Sequence, residues 1–252
     1  MGQMGRKKRK TRKSLGRRVT RWLLRGVFVV VVSSVLLVFV LRYVDPPITS
    51  FMLQRRAQAR ANGRDDFVLR QRWVDLADLP THVGLAVISS EDQRFFEHGG
   101  FDLGAIKDAV GERLSGKPLR GASTLTQQVA KNLWLWEGRS LLRKSLESYF
   151  TLLLELCWSK PRILEVYLNV AELGDGVFGV GAAATHHFQR DATRLTRSQA
   201  ALLAAVLPSP IKRNAGRPSP AVVRKQQWIL EQMRVLPHYQ TGLSRALADA
   251  KH

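Results

Sequence analysis

Between Ser90 and Asp102 the chain reads Ser-Glu-Asp-Gln-Arg-Phe-Phe-Glu-His-Gly-Gly-Phe-Asp. Glu91, Asp92, Glu97 and Asp102 thus stand close to His98 and Arg94, and the run breaks at Gly99-Gly100. Carboxylates and an imidazole at this density can take up or deliver a proton, the work of general acid–base catalysis. Pro80-Thr81 reads as a helix start, and Val83, Ala86, Val87 and Ser90 share one face at i, i+3, i+4, i+7. Glu91 then sits where an apolar helix ends and the chain turns. A carboxylate with an apolar wall on one side suits a general base near neutral pH. The bland alternative is a solvated acidic turn after a core helix.

Two further stretches carry polar chemistry. Gly121 to Asn132 holds Ser123, Thr124, Thr126, Gln127, Gln128, Lys131 and Asn132. Ser123 or Thr124 can cap a helix on which Leu125, Val129 and Asn132 share a face. Hydroxyls and amides this dense are costly in a core unless paired, so a cleft for a polar ligand competes with a plain capped surface helix. Arg143, Lys144 and Glu147 lie at i, i+4 and i, i+3 spacing, which on a surface helix is an ion pair worth about a few tenths of a kcal/mol.

These stretches must be positioned by helices. Leu103 to Leu114 reads as a helix, with a Gly/Pro-containing mobile loop at 115–120. Ser140 to Ser159 reads as a strong helix with Leu142, Leu146, Tyr149, Leu153 and Leu156 as its apolar stripe. Ser159-Lys160-Pro161 starts a helix with Leu164, Tyr167 and Leu168 inward, ending near Gly174-Asp175-Gly176; Gly179 and Gly181 continue a turn-rich passage. Ala182–Phe188, Ser198–Leu207 and residues 221–250 complete the pattern. Little alternates with period two, so the fold is mainly α.

Four segments follow from composition. The chain has 252 residues and a net charge of +20. Eleven Lys and Arg precede residue 26 with no acid among them, so 20 − 11 leaves +9 for the rest. Residues 1–21 form a basic arm. Residues 22–44 form a membrane anchor: Gly26–Leu41 carries no charge, Arg25 and Arg42 can snorkel, and Trp22 and Tyr43 suit the interfaces. The run Leu41 to Pro47 offers no small-x-small cleavage site, so the anchor is read as retained. The positive arm places the N-terminus in the cytoplasm and the following chain on the outer face, and its charge is read as a topology signal or a contact to anionic lipid, with nucleic acid set aside. Residues 45–79 form a connector whose arginines could meet lipid headgroups or solvent, and 80–252 the main domain. Cys157 is the sole cysteine, so no intrachain disulfide forms. No zinc-ligand spacing, P-loop or GxGxxG fingerprint occurs.

Taken together the motifs resemble the peptidoglycan glycosyltransferases, glycosyltransferase family fifty-one, over about residues 80–215. Glu91–Asp102 is similar to the first signature of that family and Gly121–Asn132 to the second. Arg143-Lys144-Ser145-Leu146-Glu147 resembles the third, Lys160–Gly181 with Ile163–Asn169 the fourth, and Ala200–Pro210 the fifth. Gln199 departs from a usual Glu and His187 from a usual Tyr; both positions look structural. Ser209-Pro210-Ile211-Lys212 mimics the Ser-x-x-Lys of a transpeptidase but has no Lys-Thr-Gly partner. The resemblance is therefore to the monofunctional members, related to the glycosyltransferase domain of class A penicillin-binding proteins.

The resemblance implies an α-helical, two-lobed, lysozyme-like domain that polymerises lipid II into β-1,4 glycan for cell-wall synthesis, releasing undecaprenyl pyrophosphate. It implies Glu91 as base and Glu147 as second acid. It implies Lys131 and Arg139, helped by Arg143 and Lys144, on the pyrophosphate, and Ser123, Thr124, Gln127, Gln128 and Asn132 on sugar and phosphate oxygens. A divalent cation, Mg²⁺ or Mn²⁺, beside the pyrophosphate and near Glu147 is compatible with it, and no organic cofactor is expected. Implied partners are lipid II, the growing glycan chain, the membrane and other cell-wall synthesis or division proteins, with the protein in the inner membrane and its catalytic domain on the periplasmic side. The competing readings are a muramidase or lytic transglycosylase with Glu91 as general acid, and an inactive membrane scaffold.

Overall fold

A computed structural model of the chain describes residues 7–115, 123–138 and 140–235. The loop expected at 115–120 lies outside the described residues beyond Ser115, as does the part of the expected C-terminal helix beyond Val235. The chain divides into two compact units, Met1–Val44 and Asp45–His252.

The first unit is one helix, α1, Lys7–Leu41. Its stretch Gly16–Leu41 has 26 residues and contains an 18-residue window with a mean hydropathy of 2.7. At 1.5 Å per residue this spans about 39 Å, enough for a bilayer core of about 30 Å. Among the described residues it is the one helix long and apolar enough to cross a membrane. Helical structure begins inside the basic arm rather than at Trp22 and stops at Leu41, short of Val44. Arg25 lies over the Trp22 ring at 5.5 Å and Arg42 over Tyr43 at 5.3 Å, pairings that keep charge and aromatic together near each end.

The second unit is helical around a small three-stranded sheet. In order it contains α2 (Ser50–Ala61), β1 (Arg70–Gln71), α3 (Thr81–Glu91), α4 (Leu103–Leu114), α5 (Leu125–Trp134), α6 (Leu141–Cys157) and α7 (Lys160–Val170). Then come β2 (Glu172–Gly174), β3 (Val177–Phe178), α8 (Gly179–Phe188), a 3₁₀ turn at Ala192–Arg194, α9 (Arg197–Val206) and α10 (Pro220–Val235). The sheet order is β1-β3-β2, with β1 parallel and β2 antiparallel to β3. These strands of two or three residues are too short for a period-two signal, which is why a purely helical reading missed them. Gly179 opens α8 instead of continuing a turn: a Cβ there would come within 2.6 Å of the Asn169 carbonyl oxygen, and its φ is +75°.

Residues after Ala61 are drawn onto this unit by Asn169, which is fully buried at the end of α7. Its side chain donates to the Val74 and Glu165 carbonyls at 2.9 Å each and accepts from the Val74 N–H at 2.9 Å. Three of the six connector arginines are paired with acids, while Arg56, Arg60 and Arg70 are exposed. Arg55 binds Glu172 and Asp175, each at 3.0 Å, Arg64 binds Asp175 at 2.7 Å, and Arg72 binds Asp191 at 2.6 Å. Burial raises the Glu172 carboxyl's pKa even with Arg55 beside it.

Helix α6 corrects a second expectation. Leu142 and Leu156, in the expected stripe, are 65% and 81% exposed, while Glu147, Thr151 and Leu154 are buried. The helix packs against α5 through this mixed face, and Thr151 Oγ1 donates to the Glu147 carbonyl at 2.7 Å, satisfying its hydroxyl without water.

The two departures from the family pattern prove compatible with local structure. Gln199 is the N3 residue of a capping box with Thr196: its side-chain oxygen accepts from the Thr196 N–H at 3.0 Å, as a Glu would. His187 Nε2 pairs with the Leu173 carbonyl at 2.8 Å, tying α8 to β2.

Candidate active site

Helix α3 delivers Glu91 at its last turn and Asp92 as its C-cap. Asp92 is buried and splits its oxygens: one pairs with His98 Nε2 at 2.8 Å, the other accepts the Leu125 N–H at 2.9 Å. His98 Nδ1 accepts the Gly100 N–H at 3.1 Å, so the ring proton is on Nε2 and is donated to Asp92. The same Gly100 offers its carbonyl to Thr124 Oγ1 at 2.7 Å. Gly100 has φ +88°, and a Cβ there would lie 2.7 Å from Thr151 Cγ2, so this junction needs glycine. Asp92, His98 and Gly100 therefore lock the acidic turn to the start of α5.

On α5 the polar residues divide their tasks. Thr124 and Gln127 are buried and form a reciprocal capping box. Their side chains are spent on the helix N-terminus, so they shape the site from beneath instead of lining it. Thr126 donates to Glu155 at 2.5 Å, and Asn132 is buried. Ser123, by contrast, is exposed, and Gln128 and Lys131 face cavities. Arg139 lies outside the described residues.

Two cavities of similar size share Ser123. One, of about 620 Å³, is lined by Ser90, Glu91, Ser123, Gln128, Pro208, Lys225 and Trp228. The other, of about 610 Å³, includes Phe51, Ser123, Lys131, Trp136, Arg143, Lys144 and Glu147. Both lie in the range of small-molecule sites.

In the first cavity Glu91 accepts from Ser90 Oγ and from Gln128 Nε2, each at 3.1 Å. Gln128 Oε1 in turn accepts from the Tyr167 hydroxyl at 3.1 Å. Burial, with the Glu91 and Asp92 charges adding, pushes the Tyr167 phenol well above its ordinary pKa. A phenol that stays protonated donates, which orients the Gln128 amide so that its NH₂ meets Glu91.

In the second cavity Glu147 is buried and its two oxygens are taken by Arg143 and Lys144, each at 2.5 Å. The carboxylate is buried, with Lys144 half exposed at its rim, in place of the surface ion pair that the spacing alone suggests. The Arg143 Nε–H is buried with no acceptor among the described residues. Lys131 Nζ stands 5.7 Å from the centre of the Phe51 ring, and burial lowers its pKa, with Glu147 opposing part of the effect. Three cations thus surround one buried carboxylate, an arrangement with net positive charge and an unspent donor. Among the described residues no three His, Cys, Asp or Glu gather to hold a metal, and Glu147 has no free oxygen. The described residues do not form a metal cage.

Pro208 lies in the fifth motif, but Phe51, Lys225 and Trp228 fall outside every motif. For Trp228 a signal existed: the buried stripe of α10 is Val222, Gln226, Ile229 and Met233, and Trp228 is a large aromatic off that stripe. Phe51 carried none, because its cavity is formed by α2 meeting α5, a contact distant in sequence.

Residues 61–234 match the family described as Transglycosylase. A biosynthetic peptidoglycan transglycosylase of Ectopseudomonas mendocina is 52% identical over 225 residues, covering 88% of this chain and 93% of the relative. Proteins of the same name are 52% identical in Pseudomonas aeruginosa, over 88% of this chain and 93% of the relative, and 48% identical in Xanthomonas campestris, over 87% and 89%. With this family match spanning both cavities, the chain belongs to the transglycosylase family and is a peptidoglycan glycosyltransferase.

Proposed function

We propose that this enzyme polymerises lipid II, transferring a growing glycan from undecaprenyl pyrophosphate to the 4-hydroxyl of the GlcNAc of an incoming lipid II. The observation that carries this reading is the pair of adjoining cavities, one with Glu91 and the other with Lys131, Arg143 and Lys144 around Glu147. An inverting displacement needs its nucleophile and leaving group on opposite sides of the reacting carbon. Glu91 takes the proton from the acceptor hydroxyl, and that oxygen forms the bond to C1 of the donor. The C1–oxygen bond to pyrophosphate breaks, and the charge develops beside the cations. An α-linked donor so gives a β-1,4 product. A positioned base contributes roughly 10²–10⁴-fold in rate. The spare Arg143 Nε–H and the desolvated Lys131 suit a phosphate oxygen.

In this reading the enzyme sits in the inner membrane with its N-terminus in the cytoplasm and its catalytic domain on the periplasmic face, which the apolar α1 and the basic residues before it support. The exposed leucines of α6, Leu141, Leu142, Leu152 and Leu156, suit a surface beside lipid. A lytic transglycosylase would act on a neutral glycan leaving group and has no use for a cation cluster of this kind.

The test incubates the full chain in detergent with labelled lipid II, beside Glu91→Gln. A lysozyme-digestible ladder from the wild type alone is expected. Polymer from both would remove Glu91 as base; polymer from neither, with both folded and binding lipid II, would point to a scaffold.

A further inference from the structure

The cavity beside Glu91 has a wall that the catalytic segments do not supply. Lys225 and Trp228 come from α10, three residues apart and so on neighbouring positions of one helix face. Trp228 is 38% exposed, and Lys225 Nζ stands 3.6 Å from the centre of its ring. An indole left this open at a partly polar cavity is unusual for a residue whose role is only packing, since the neighbouring face of α10 already buries Val222, Ile229 and Met233. The platform is also firmly mounted. Helix α10 packs on α9 and on α3, the helix that ends in Glu91. Gln226 donates to Ser198 O at 2.9 Å and to Ser198 Oγ at 2.8 Å, while Gln93 reaches from just beyond α3 to Gln232 at 3.1 Å. The distance between the indole and the carboxylate is therefore set by helix packing instead of by a loop.

We infer that Trp228, with Lys225 over its ring, is a binding platform for the N-acetylhexosamine that carries the attacking hydroxyl. The inference rests on the glycan-polymerising reading above and adds to it the residue that recognises the acceptor sugar. A pyranose presents C–H groups on one face, and an N-acetyl group presents a methyl; both pack on an indole. The sugar hydroxyls that do not react have polar neighbours in Ser90 and Ser123. Proximity to Glu91 makes this an acceptor-side contact. The donor's pyrophosphate belongs with Lys131 and Arg143 in the other cavity, which neither α10 residue lines.

The experiment uses the full chain in detergent, a labelled lipid-linked tetrasaccharide as donor and lipid II as acceptor, each varied with the other saturating. Trp228→Ala is expected to raise the acceptor KM about tenfold, the scale of one well-packed aromatic contact, with donor KM changed by less than about twofold. Trp228→Phe keeps a ring, and its acceptor KM should rise only about two- to threefold; this graded variant carries the test if the alanine variant does not fold. Lys225→Met should have an effect no larger than that of Trp228→Phe. Equal rises in both KM values, a fall in kcat alone, or no change in the acceptor KM would overturn the assignment while leaving the polymerase intact. Absence of polymer from the wild type would overturn the functional reading itself, and this platform with it.

Discussion

The two glutamates of the site sit in opposite electrical settings. Glu91 is held by neutral donors, the Ser90 hydroxyl and the Gln128 amide. Glu147 is buried between Arg143 and Lys144, with Lys131 nearby. The carboxylate of Glu147 is committed to two cations. That of Glu91 meets neutral donors and lines an open cavity. The same side chain thus has opposite surroundings in the two cavities, which match the base and the counter-ion of the proposed mechanism.

The sharpest way to break this contrast is exchange of each acid for its amide. Glu91→Gln is expected to lower the polymerisation rate by about 10²–10⁴-fold with the fold intact. Glu147→Gln should instead show itself in stability, losing about 3 kcal/mol in denaturant unfolding, at the low end for a broken buried pair because Lys144 is half exposed. A folded Glu147→Gln enzyme slower than Glu91→Gln would reverse the two roles.

Lys131→Ala comes next, at about 10²-fold in kcat, the cost of one donor to developing charge. Its pH dependence sharpens the point. Burial lowers the Lys131 pKa, so its charge is lost as pH rises through a value below that of an ordinary lysine. Binding of a pyrophosphate needs that charge, so activity should decline on the alkaline side, and Lys131→Arg should move that limb to higher pH.

On the base side, Tyr167→Phe removes the hydrogen bond that orients Gln128. The loss is expected to be about fivefold in kcat, from roughly 1 kcal/mol per hydrogen bond. The smallest effect belongs to a control remote from either cavity. His187 has a pKa lowered by burial, so it stays neutral when folded. The unfolded chain takes up the proton first, and stability should fall as pH drops below the ordinary His value and through the folded one. His187→Tyr should flatten that dependence and leave the polymerisation rate unchanged.

Much of the site was legible before any coordinates. The Glu91 stretch, the hydroxyl–amide segment and the Arg-Lys-x-x-Glu triplet were each visible as residue types at meaningful spacing. What the spacing left open was the side each residue faces. Thr124 and Gln127 look as suited to a ligand as Ser123 and Gln128, yet the first pair closes a capping box and the second pair meets the cavity. Arg143, Lys144 and Glu147 read as a surface pair because burial of a helix face depends on what packs there. On α6 the leucine stripe pointed the wrong way for that reason: its partner is α5, which takes the face with Glu147 and Thr151.

By itself the sequence determined the helical class, the apolar anchor segment and the local chemistry, because helix periodicity, capping and hydropathy act over a few residues. Only the tertiary structure decided that Phe51 stands beside Lys131, 80 positions away, Tyr167 beside Gln128, 39 away, and Trp228 in the cavity of Glu91, 137 away. It also decided that Glu91 meets neutral donors at a cavity while Glu147 is buried against Arg143 and Lys144. Those outcomes depend on which helices meet, and contact between distant segments is set by the packing of the whole core, which no local pattern records.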